Sequence, residues 1–297
     1  MITAALVKEL RDKTGAGMMD CKKALNETNG DIDAAVDYLR EKGIAGAAKK
    51  SARVAAEGTV AAFKTDCGCL ASLIEINSET DFVAKNEKFQ NFAKQTAEFV
   101  AKNDGADISA ELEAKAKEMI AAIGENIVVR RYTVYKLEGA GIISTYIHMG
   151  GKIGVMVQFD CDEALKENPE VIEYTKNIAM QIAAVNPTYL NPTDIPTEEL
   201  EHEKQVLIAQ AENEGKPKEI AEKMVQGRIQ KFYKEICLNE QPFVKDDKLF
   251  IKDYTKQTAK NVGGKLEIVK FVRYQMGEGL DKRKDDFAEE IAKQING

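Results

Sequence analysis

Histidine is nearly missing from this chain of 297 residues, which holds two, His148 and His202. Neither has a metal-ligating companion at helix spacing, so there is poor material for a metal centre. Cysteine is sparse and odd in number: Cys21, Cys67, Cys69, Cys161 and Cys237 lie scattered along the chain. That usage fits a reducing compartment with free thiols and no structural disulfide. Cys67-Gly68-Cys69 has no second thiol pair at zinc-site spacing and reads as a turn between strands, and nothing local marks Cys21 or Cys161 as an activated nucleophile. No apolar run approaches the roughly 20 residues that span a bilayer, and Met1-Ile2-Thr3 opens directly into a helix pattern rather than a signal peptide, so a cytoplasmic protein is expected. A phosphate-binding loop is missing too. Gly150-Gly151-Lys152 and Gly263-Gly264-Lys265 lack the earlier glycine and the hydroxyl that such a loop needs. The expectation is a protein that is not an enzyme, takes no cofactor and binds neither metal nor nucleotide itself.

What is abundant is charge: 31% of residues are charged and the formal net charge is −7. Such a chain is soluble and has no bulk attraction to nucleic acid or to an anionic membrane. Its length suggests two or more compact units.

The chain is organised around one corner. Leu70-Ala71-Ser72-Leu73-Ile74-Glu75-Ile76 reads as a buried strand, and Phe89, Phe92, Ala93, Thr96 and Val100 repeat at helical spacing beyond it. Thr80-Asp81-Phe82-Val83 is therefore a strand-to-helix turn carrying a carboxylate beside an aromatic ring. Phe82 can pack inward, as most large aromatic side chains do, or stand outward as an anchor that buries roughly 150–250 Å² against a partner.

Residues 1–42 read as a three-helix domain. Ile2, Leu6 and Leu10 stripe a first helix capped by Thr3, Asp20 is placed to cap a second, and Asp31 a third carrying Ile32, Val36 and Leu39. Met18 and Met19 fall in the turn between the first two, either sealing the underside of the bundle or offering an adaptable surface to a partner. Residues 43–56, rich in Ala, Lys and Gly, read as a helical connector. Strands at Thr59–Phe63 and Leu70–Ile76, helices over 86–102 and from a cap at Ser109, and a strand at Asn126–Leu137 make a first core subdomain over 57–139. The β-β-α order recurs in Ile142–His148, Ile153–Phe159 and Val171–Ala184, so a related second subdomain occupies 140–196 and resumes over 238–278, where Leu266–Met276 adds a strand. Between these two parts, 197–237 reads as two charged helices joined at Glu214-Gly215-Lys216, a coiled-coil hairpin with a narrow apolar stripe. The last stretch, 279–297, repeats Phe287, Ile291 and Ile295 as a C-terminal helical module. The fold class is thus α+β.

Several motifs carry a family resemblance in a fixed order. Thr14-Gly15-Ala16-Gly17-Met18-Met19-Asp20-Cys21-Lys22-Lys23-Ala24-Leu25 resembles the amino-terminal signature of the bacterial elongation factor Ts family, and Thr80-Asp81-Phe82-Val83-Ala84-Lys85 its best-marked motif. Gly124-Glu125-Asn126-Ile127-Val128-Val129-Arg130-Arg131 resembles a central signature; the stretches from Gly215 to Val225 and from Gln241 to Val244 resemble two more. The resemblance implies a first domain like a ubiquitin-associated domain, a projecting hairpin, and a guanine-nucleotide exchange factor whose partner is the GTPase elongation factor Tu. It implies that Thr80, Asp81, Phe82 and Val83 disturb the partner's magnesium site, with Phe82 as the apolar wedge and Asp81 a polar contact beside it. It also implies that Lys8, Arg11, Met18, Met19 and Lys22, the C-terminal module, and His148, Met149 and Gly150 touch the partner. The rival reading is an adaptor with a helical recognition domain and a coiled-coil hairpin, to which nucleotide would be irrelevant.

Overall fold

The computed structural model describes residues 2–215 and 217–281. The expected C-terminal helix over 281–295 and the hairpin-tip residue Lys216 lie outside them, apart from Asp281 itself.

Short helices with small apolar stripes need one another to bury them. Helices α1 (Ala4–Thr14), α2 (Met18–Glu27) and α3 (Ile32–Lys50) do so around Val7, Leu10, Cys21, Ala24, Leu25 and Ala35. Thr3 caps α1 and Asp31 caps α3, as their side-chain chemistry suggests. Two details differ from expectation. Helix α2 begins at Met18 with Gly17 as its N-cap, so Met18 and Met19 are its first residues and Asp20 sits inside its first turn. Helix α3 does not stop near residue 41 but runs without a break into the connector, which is helical as expected only as far as Lys50.

The body begins with the hairpin β1 (Glu57–Lys64) and β2 (Leu70–Ser78), followed by α4 (Asp81–Ala84), α5 (Glu87–Lys102), α6 (Ser109–Ile123) and β3 (Val128–Lys136). The second half repeats this order as β4 (Ile142–His148), β5 (Ile153–Cys161) and α7 (Pro169–Val185). The helical hairpin α8 (Thr197–Asn213) and α9 (Lys218–Ile236) follows, then β6 (Pro242–Phe243), β7 (Asp246–Phe250), α10 (Ile251–Val262) and β8 (Leu266–Gln275). Both sheets are antiparallel, ordered β1-β2-β3 and β4-β5-β8, and in each the last strand carries a register shift against the middle one. Helix α10 and the small β6–β7 hairpin are additions to the sequence reading; α10 covers the second sheet beside α7, through Ile251, Tyr254, Ala259 and Val262.

The layers explain why β2 is buried from Ala71 to its end. Ile74 and Ile76 face α5 and α6, whereas Ala71 and Leu73 face the second sheet, where they meet Ile143, Met156 and Tyr274. The order is helices, sheet, sheet, helices. The sheets approach closely at Gly154, where an added Cβ would overlap Val60 Cγ1 and come within 2.8 Å of Leu73 Cδ1. Gly154→Ala is expected to destabilise the protein by about 1–3 kcal/mol through overpacking, read as a lower urea midpoint.

One expectation about cysteine is overturned. Cys67 and Cys69 are joined by a disulfide, while Cys21, Cys161 and Cys237 are free and buried. The β1–β2 turn brings the two Cα atoms to 5.3 Å, a spacing at which oxidation needs no chain movement. A second correction concerns α6: Ser109 is its first residue, and the Ser109 N–H donates to Asp107 Oδ1.

Candidate functional site

Strand β2 ends at Ser78, and the chain must leave the sheet there. Ser78 Oγ donates to Thr80 O at 3.0 Å, and Thr80 caps the single turn α4 by accepting from Val83 N. One carboxylate holds the cap from outside. Glu125 Oε2 accepts from Thr80 N at 3.0 Å and Glu125 Oε1 accepts from Thr80 Oγ1 at 2.7 Å. On the inner side Ala84 is buried, its carbonyl accepts from Gln90 Nε2, and Val83 packs on the core under α5.

With its neighbours fixed, Phe82 stands 82% exposed. A large apolar side chain held in solvent by a rigid frame is the informative exception to burial. Asp81 is engaged by Lys85, whose Nζ lies 2.6 Å from Asp81 Oδ2, and this hydrogen bond is the main cause holding the Asp81 carboxyl below its usual range. The pair is solvent-exposed and contributes little to stability.

The central motif serves as the support for this corner. Besides Glu125, Asn126 N donates to Glu79 Oε1 and Asn126 Nδ2 to Arg53 O. Arg130 and Arg131 reach Glu75, a fully buried carboxylate on β2 that faces the second sheet. Its remaining donors are Gly277 N and Asn77 Nδ2. The arginines also bind the end of β8, through Gln275 O, and the segment after it, through Glu278 O and the Glu278 carboxylate. Burial pushes the Glu75 carboxyl up, but the Gly277 N–H and the two guanidiniums outweigh it, and the net shift is downward.

The other sequence-predicted residues fall into two groups. Lys8, Arg11, Met18, Met19 and Lys22 are all exposed on α1 and α2, with Met18 at 59% and Met19 at 73%. The corner between these helices abuts α5, since a Cβ on Gly15 would meet Nζ of Lys88, which lies just beyond the Asn86 cap of that helix. Met18, Met19 and Phe82 therefore belong to neighbouring elements. The remaining set lies on the opposite side of the first sheet, His148 as the last residue of β4 and Met149 and Gly150 in the β4–β5 turn. Met149 is held at φ 50° and 65% exposed, and Gly151 O accepts from Val60 N of β1. His148 Nδ1 lies 2.9 Å from Tyr146 Oη.

Glu125, Glu75 and Lys88 were not singled out by sequence. Glu125 stood within a quoted motif, but nothing local says what it holds.

Loss of the Thr80 hydroxyl removes both the cap and one arm of the Glu125 grip. Thr80→Ala is expected to lower stability by about 1 kcal/mol in chemical unfolding. An unchanged midpoint would show that the hydroxyl adds nothing to the backbone N–H contact with Glu125 and the packing beneath it.

Among the described residues no group of histidine, cysteine and carboxylate side chains is placed to hold a metal, and no helix is long and apolar enough to cross a membrane. A family model described as elongation factor TS matches residues 79–278. Elongation factor Ts of Symbiobacterium thermophilum is 50% identical over 99% of this chain and 98% of its own length. Elongation factor Ts of Clostridium perfringens is 49% identical over 99% of both chains, and that of a Nitratiruptor species is 48% identical over the same shares.

Proposed function

The chain belongs to the elongation factor Ts family, and from that premise we propose that this translation elongation factor binds elongation factor Tu carrying GDP and promotes release of the nucleotide. No covalent chemistry is required. A protein that binds the nucleotide-free GTPase more tightly than the loaded one weakens nucleotide binding by the same factor.

The observation that carries this reading is the exposed Phe82 on a corner fixed by Glu125 and by the core. Magnesium at a nucleotide's phosphates demands near-ideal octahedral geometry, so a small displacement of the elements that position its ligands and waters loosens it. Phe82 supplies an apolar wedge for that displacement; Asp81 a polar contact beside it; Thr80 and Val83 the frame. Met18 and Met19, with Lys8, Arg11 and Lys22, extend the same contact from the adjoining helical domain. His148, Met149 and Gly150 form a second contact on the far side of the sheet, where rigid turn geometry presents Met149 to another part of the GTPase.

The experiment is release of labelled GDP from elongation factor Tu after mixing with this protein in excess GTP. Release at least about tenfold faster than the spontaneous rate is expected. Unchanged release would favour an adaptor instead.

A further inference from the structure

The Cys67-Gly68-Cys69 turn has no part in the contacts above, and its surroundings are those of a reactive pair. It lies at the tip of the β1–β2 hairpin, Cys67 exposed and Cys69 half-buried, with open space where a side chain on Gly68 would project. Cys69 N donates to Cys67 Sγ at 3.4 Å, and Thr65 Oγ1 lies 3.3 Å from Cys67 Sγ and 3.8 Å from Cys69 Sγ. The other cysteines offer a contrast within one molecule. Cys21, Cys161 and Cys237 are buried, and burial pushes their thiols up, Cys237 to about 11.

We propose that Cys67 and Cys69 form a thiol–disulfide exchange site that reacts reversibly with low-molecular-weight thiols, with Cys67 as the sulfur attacked and released. Exchange needs an accessible sulfur and a leaving thiolate that is stabilised where it forms. Cys67 meets the first need because it faces solvent, and the second in the later step that releases it, where the Cys69 N–H points at its sulfur.

The external thiolate attacks Cys67 Sγ, the Cys67–Cys69 bond breaks, and Cys69 departs as a thiolate that takes up a proton. A second external thiolate attacks the outer sulfur of the mixed disulfide and releases Cys67 as a thiolate. Two small thiols are oxidised to one disulfide while the protein's disulfide is reduced to two thiols. The turn is also tied to the passage between the two sheets: Cys69 O accepts from Leu137 N at 2.9 Å and Gly68 O from Ile143 N at 3.4 Å. The ring thus sits in a turn that both subdomains hold.

The test equilibrates the full chain in reduced and oxidised glutathione at varied ratio, quenches with N-ethylmaleimide and maps the adducts by mass spectrometry. Cys67 and Cys69 are expected to gain and lose alkylation together across the series, with Cys21, Cys161 and Cys237 protected throughout. In Cys69→Ser, Cys67 is expected to form a mixed disulfide with glutathione at least tenfold faster than Cys69 does in Cys67→Ser. A pair alkylated in full at every ratio, or closed at every ratio, would overturn the exchange site. Equal rates in the two variants would overturn the assignment of Cys67.

Discussion

Phe82→Ala is expected to slow stimulated GDP release from elongation factor Tu by about 30-fold or more while leaving this protein's stability unchanged. The magnitude follows from anchors at protein interfaces, whose truncation costs about 2 kcal/mol or more, and a cost of that size in the exchange transition state is a factor near thirty. The absence of a folding cost follows from exposure. At 82% exposed, the ring contributes little to the core, and the corner's other restraints, Glu125 on Thr80 and Gln90 on Ala84, do not involve it. Rate and stability thus separate in one variant. Stopped-flow release of fluorescent GDP reads the first and urea unfolding the second. A Phe82→Ala protein that released GDP at the unaltered rate would remove the wedge role and leave the family membership standing.

Glu75→Ala is expected to have the opposite profile, with stability lowered by about 3 kcal/mol. Breaking a buried ion pair leaves its partners uncompensated, at a typical cost of about 3–5 kcal/mol. The lower end applies here because Arg130 and Arg131 keep about a quarter and a third of their side-chain surface in water and retain Glu278 and the Gln275 carbonyl as partners. The loss is also dependent on pH. The folded-state carboxyl lies below its ordinary value, so its contribution is fully present above the unfolded value near 4.3 and disappears as pH falls through the folded one. The stability gap between wild type and Glu75→Gln, which has no proton to gain, should therefore be widest near pH 7 and shrink below about pH 4. A gap that did not change with pH would mean that the carboxylate acts through shape alone.

Much of the architecture was legible because it rests on periodicity. The apolar run of β2 announces a strand covered on both faces, and the β-β-α order visible twice in sequence is what folds into two sheets stacked face to face. Helix α10 is not legible in the sequence because its inner face is built from Tyr254, Thr258 and Ala259 as much as from Ile251, and Thr258 hides its hydroxyl by donating to the Tyr254 carbonyl. The direction of Phe82 was open in the sequence, since a turn residue's orientation depends on distant clamps such as Glu125, forty-five positions away. Glu75 was invisible for the same reason: a carboxylate inside an apolar strand is explained only by arginines and a glycine N–H that the fold delivers from β3 and from beyond β8. The disulfide is not legible in the sequence because scattered, odd cysteines argue for free thiols on average, whereas one hairpin turn decides the matter for one pair.

The most direct measurement is a pair of titrations in one buffer, with this protein added to nucleotide-free elongation factor Tu and to elongation factor Tu saturated with GDP and magnesium. Exchange by coupling requires the nucleotide-free form to bind more tightly, and a coupling of 1–3 kcal/mol corresponds to about 5–150-fold. A ratio of about tenfold or more is expected, reduced toward one by Phe82→Ala. Equal affinity of the unmutated protein for the two forms would contradict nucleotide release driven by differential binding.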